Sequence, residues 1–167
     1  LVGTRSFYQR KEIKDAISLL QAVDNPKDDL SLLRILNVPP RGIGDATVTR
    51  LKEWQRITGS ALQDVIAQEE CLRDLPETAA RSVRHLYACL TRFRAEFAAA
   101  GELATKVAKL LHETGYVDGL GRMYKPRADA LRRRDNVLEF VNGVADYATR
   151  KGAESSLKDF LLTLALL

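Results

Sequence analysis

Apolar residues return every three or four positions along almost the whole chain, a period that fits helices and little else. Ile13, Ala16, Ile17, Leu20 and Val23 share one face of a first helix, which the turn-forming DNPKDD segment ends. Leu30, Leu33 and Leu36 mark a short second helix. Val48, Leu51, Trp54 and Ile57 mark a third, stopped by Gly59, and Ser60 is placed to cap a short helix through Leu62, Val65 and Ile66. Pro76 precedes the longest stripe, Val83, Leu86, Tyr87, Leu90, Phe93 and Phe97. Leu103, Val107, Leu110 and Leu111 follow, and Gly115 ends them. Val137, Val141, Val144 and Ala148 restore the stripe before SLKDFLLTLALL, where Ser155 or Ser156 is the cap. Between Gly115 and Arg134 the period weakens amid glycines, Pro126 and basic residues, so this stretch reads as a flexible loop. No alternating β-pattern and no internal repeat interrupts the series. The expectation is an all-α, multi-helix fold in one domain of 167 residues.

The segment NVPPRGIGDATVTRL, Asn37 to Leu51, breaks the pattern. Proline fixes φ, and glycine permits positive φ and close approach of another molecule. Asp45 stands where an N-cap belongs, and a helix start presents free N–H groups and a dipole that favours an anion. An ordinary helix-turn-helix corner accounts for the same residues.

Lys and Arg number 26 against 22 Asp and Glu, and the excess is clustered. RSFYQRKEIK holds Arg5, Arg10, Lys11 and Lys14 against Glu12, and RMYKPRADALRRR holds Arg122, Lys125, Arg127, Arg132, Arg133 and Arg134 against Asp129. Such clusters attract a polyanion or serve as solvated helix faces. No run has the length of a membrane span and no signal peptide is evident, which points to a cytoplasmic protein. The start at Leu1 and the apolar end read as a piece of a longer protein. Cys71, Cys89, His85 and His112 lack metal-ligand spacing and read as packing or surface residues. GxxxxGK[ST], HExxH, GxSxG and CxxC are all missing, so no nucleotide-splitting or hydrolytic centre of those kinds is expected. A repair glycosylase would need a catalytic aspartate after the glycine turn. Asp64, in ALQDVIA, reads instead as an exposed helix position, and no lysine stands in the turn.

Three ordered motifs resemble a known family. Gly3, Phe7, Tyr8, Arg10, Glu12, Ile13, Lys14 and Asp15 match a first element, and Asn25, Pro26, Asp28 and Asp29 a second. Asn37, Pro39, Arg41, Gly42, Ile43 and Gly44 match a third. Together they resemble the accessory 2B domain of superfamily-one DNA helicases of the UvrD, PcrA and Rep group. RRDNVLEFVNGV resembles a later helix of that family, with Asp135 where glutamate is usual, and SLKDFLLTLALL resembles the stretch before motor motif V.

The resemblance implies residues 1–8 as the junction with the second motor domain and 9–167 as the helical 2B body, with a helix-hairpin-helix-like GIG turn. It implies an accessory domain of a bacterial, nucleoid-associated, ATP-dependent 3′-to-5′ helicase, which swivels to regulate unwinding in repair or replication. The DNA-contacting set it implies is Lys14, Arg41, Gly42, Ile43, Gly44 and Thr47, all on duplex phosphate. No catalytic residue and no cofactor are implied for this chain; ATP and Mg²⁺ belong to the parent's motor. Its partners are then duplex DNA, the other helicase domains and repair or replication proteins. A protein-interaction module using the basic loop is the alternative.

Overall fold

In the computed structural model, which describes residues 4–167, the elements follow from the apolar period and from local caps. Gly3 of the first motif and the start of the expected junction lie outside the described residues. After a single turn, α1 (Arg5–Tyr8), α2 (Lys11–Asp24) runs through the middle of the molecule and packs on α3, α7, α8, α10 and α11. Those partners are α3 (Asp29–Ile35), α7 (Glu77–Ala98), α8 (Leu103–Glu113), α10 (Arg127–Lys151) and α11 (Leu157–Ala165). The remaining helices are α4 (Asp45–Thr58), α5 (Leu62–Ile66), α6 (Glu69–Arg73) and α9 (Tyr116–Met123), with a 3₁₀ turn at Gly152–Glu154. The fold is all-α, with no strand among the described residues. None of their helices is long and apolar enough to cross a membrane.

The stripe expected for α2 is narrower than its buried surface, because Leu19 and Ala22 are buried together with Ile13, Ala16, Leu20 and Val23. A helix covered on most sides belongs at the centre of a core. Its C-terminal carbonyls lie away from water and take side-chain donors: Arg94 Nε donates to Val23 O (2.8 Å) and Gln63 Nε2 to Ala22 O (2.7 Å).

Several local expectations hold. Gly59 and Gly115 are left-handed, Pro76 stands at the start of α7, and the Ser156 hydroxyl accepts from Asp159 N (3.0 Å) at the start of α11. Others are corrected. Leu30 is 81% exposed; α3 turns Leu32, Ile35 and Leu36 inward, since LSLLRIL permits more than one apolar face. Ile57 is exposed as well. Ala61, not Ser60, stands at the cap of α5, and Asp29 Oδ1 accepts from Leu62 N (2.8 Å) there. The expected loop from Gly115 to Arg134 is helix α9, a short turn and the start of α10. Pro126 begins α10, a position where its missing N–H costs nothing.

Residues from α1 and α11 share one groove. Tyr8 and Gln9, with Leu161, Leu164 and Ala165, line one groove together with Lys14 and Arg34.

Candidate nucleic-acid interface

The turn between α3 and α4 is built by its own side chains. Asn37 Oδ1 accepts from Arg41 N (2.6 Å) and Ile43 N (3.2 Å), folding the backbone around one amide oxygen. Ile43 is buried and anchors the turn in the core. Ser82 Oγ, from α7, donates to Arg41 O (2.6 Å). The Arg41 guanidinium faces inward: Nη1 donates to Ile35 O (2.6 Å) and Leu36 O (3.1 Å), and Nη2 to Thr114 O (3.0 Å). Burial pushes its pKa down to about 10, and Arg122 acts in the same direction. Charge expected at the surface is thus half-buried and committed to backbone carbonyls.

The two glycines answer different needs. Gly42 has φ +79°, and a Cβ there would meet Thr78 Cγ2 at 3.2 Å, so the fold itself requires glycine. Gly44 has φ −82° and ψ −177°, ordinary extended backbone, and a Cβ there would meet nothing within 4 Å. The sequence points to Asp45 as N-cap, and its glycines permit a positive φ. Instead Gly44 occupies the cap, Asp45 is the first residue of α4, and no side chain caps that end. The N–H groups of its first turn precede the first i→i−4 bond, which runs from Val48 N to Gly44 O (3.0 Å). Thr47 is only 7% exposed. The structure therefore keeps Arg41, Gly42, Ile43, Gly44 and Thr47 on one turn and the helix start that follows it, while Lys14 lines a separate groove between α2 and α11.

Much of the clustered basic charge serves the fold. Arg10 Nη1 donates to Asn136 Oδ1 (2.9 Å), and Lys11 lies over the Tyr124 ring. Arg132 and Arg133 both pair with Asp129, and Arg133 Nη1 also donates to the buried Glu12 (3.0 Å). Cys71 and Cys89 are buried and form no disulfide, Cys89 Sγ lies 3.6 Å from His85 Nε2, and burial pushes both thiols up. Asp64 is exposed, as its helix position implies.

A family profile described as the UvrD-like helicase C-terminal domain matches residues 1–167. The chain belongs to that family. Among its relatives, the ATP-dependent DNA helicase PcrA of Staphylococcus epidermidis is 32% identical over 99% of this chain. The protein of the same name from Staphylococcus aureus is 30% identical over 99% of this chain. The chain spans 22% of the length of each relative.

This UvrD-like domain carries its own probe of helix α4. Trp54, the sole tryptophan, donates from Nε1 to Asp74 Oδ2 (3.0 Å), and Arg50 of the same helix pairs with that oxygen. Arg50 and then Trp54 hold the Asp74 carboxyl below the usual carboxylate range. A depressed carboxylate stabilises the fold fully above its unfolded pKa, about 4, and loses that contribution as pH falls through the folded value. Trp54 fluorescence is expected to stay constant from pH 7 to about 4 and to change below it. In Asp74→Asn the emission should already differ at neutral pH, with no separate acid step before global unfolding. An acid step retained in Asp74→Asn would assign it to another group.

Proposed function

We propose that this chain is the accessory 2B domain of a UvrD/PcrA/Rep-type, ATP-dependent 3′-to-5′ DNA helicase. It lays the GIG turn, a helix-hairpin-helix-like element, on the phosphate backbone of duplex DNA, and swivels to regulate unwinding in repair or replication. Residues 1–8 join it to the second motor domain. The parent is read as a cytoplasmic, nucleoid-associated bacterial protein whose motor uses ATP and Mg²⁺.

One observation carries the DNA contact: Gly44 is a glycine the fold does not need, at an uncapped helix start with open space before it. A bare backbone there lets a phosphate reach the first-turn amides and the helix dipole. Asp45 in the same turn opposes that phosphate, so the contact is weak and the motor supplies most of the grip. Phosphate contacts carry no base code, so binding is indifferent to sequence.

Titration of a fluorescent mixed-sequence duplex should give Kd near or above the non-specific range of about 10⁻⁴ to 10⁻⁶ M, with log K falling against log salt at a slope of roughly −3. Gly44→Val should fold like the parent, because its φ and surroundings accept a side chain, and should bind about tenfold more weakly, the loss of one charge-assisted hydrogen bond. Thr47→Val should change little, since that residue is already buried. A normally folded Gly44→Val that binds like the parent would sink the contact. The reading as a docking module for a repair or replication protein would then lead. That reading draws on Leu131 and Leu138, exposed on α10 beside Arg127 and Arg134.

A further inference from the structure

Arg41 is the junction of four elements. Its amide is held by Asn37 and its carbonyl by Ser82 of α7, while its guanidinium serves the last carbonyls of α3, Ile35 and Leu36, and that of Thr114 at the end of α8. A cation at a helix C-terminus is stabilising, and here one planar fork closes two helices at the place where α4 begins. No carboxylate pairs with it among the described residues. All three bonds would have to break before the guanidinium turned outward; Ile35 O would keep Val38 N (3.3 Å), but Leu36 O and Thr114 O would each lose a donor.

We infer that Arg41 is the positioning residue of the turn: it sets the backbone of residues 42–46 for a phosphate and does not touch the phosphate itself. The inference rests on the duplex-binding reading above. It gives the Arg of the PRGIG segment a task that a surface cation lacks, because lysine keeps the charge but cannot reproduce the fork.

The test compares Arg41→Lys, Arg41→Gln and the milder Ser82→Ala with the parent chain, using the same duplex across a salt series and the amide NMR shifts of residues 42–46. Both Arg41 variants should lose about tenfold in affinity with the salt slope unchanged, and Ser82→Ala should lose less in the same direction. The amides of residues 42–46 should move in all three. Phe160→Leu, in the packing of α10 against α11, serves as a control that lowers Tm without changing Kd. If Arg41→Lys binds like the parent while Arg41→Gln lowers the slope by about 0.9, Arg41 contacts phosphate directly and the inference fails. If the parent itself binds no duplex, the functional reading falls alone. The amide shifts then decide: displaced amides uphold positioning of the turn, and undisturbed ones overturn it.

Discussion

Arg133→Gln is expected to cost about 3 kcal/mol of folding stability, the lower end of the range for stripping one partner from a buried ion pair. Glu12 is only 2% exposed; its Oε1 accepts from Arg133 Nη1 (3.0 Å) and its Oε2 from Asn136 Nδ2 (2.8 Å). The substitution leaves a carboxylate in the core with one neutral donor, which is why the loss exceeds that of a surface pair. The Arg133 guanidinium also stacks 3.8 Å from the centre of the Tyr124 ring, so packing is lost with the charge. For a domain of this size the melting temperature should fall by roughly 6 to 12 °C. Removing both charges should restore much of the loss, so Glu12→Met with Arg133→Met should melt above Arg133→Gln. A melting temperature for Arg133→Gln within about 2 °C of the parent would show that Glu12 is satisfied without it. Replacing Arg132, Arg133 and Arg134 together therefore cannot measure a DNA contact, because the middle residue holds the fold. Arg134 alone can be tested for that.

Gly119→Ala is the second large effect, and it reaches the candidate interface from behind. A Cβ on Gly119, inside α9, would run into Pro39 Cβ and lie 2.7 Å from Pro39 Cγ. The proline ring cannot rotate away, so the clash must move α9 or the turn, at about 1 to 3 kcal/mol for overpacking. Gly121, in the same helix, has nothing within 4 Å of its added Cβ. Gly121→Ala should therefore stabilise by roughly 0.5 kcal/mol through helix propensity. Opposite signs for two identical substitutions two positions apart separate the contact from propensity. Pro39→Gly removes both ring carbons, so Gly119→Ala should cost less in that background. Because Pro39 precedes the GIG turn, Gly119→Ala should also weaken duplex binding under the proposed function, and Gly121→Ala should not. Equal melting temperatures for the two variants would show that α9 and the turn move apart freely.

Helix positions were legible where the decisive chemistry is local. Gly59, Gly115, Pro76 and Ser156 act through backbone groups within a few residues, and the structure bears each of them out. Capping failed where two neighbours compete for one end, as with Gly44 against Asp45 and Ala61 against Ser60. At α5 the winner was set by Asp29, 33 positions away, whose carboxylate takes the orphan amide of Leu62. The weak period from Gly115 to Arg134 concealed α9 because Gly119 is small for the sake of Pro39, a neighbour 80 positions back along the chain.

The candidate site divides along the same line. The sequence by itself determined the helical class, the approximate order of elements, the turn at Asn37–Gly44 and, through three ordered motifs, the family to which the chain belongs. Only the tertiary structure decided which basic residues are spent. Arg41 is committed to two helix ends and Arg133 to a glutamate 121 positions away, whereas Gly44 is left open to solvent. The reason is one of range. Backbone conformation and capping are settled by atoms a few residues apart, but a charge or an N–H is free or occupied according to what the fold brings within about 3 Å of it.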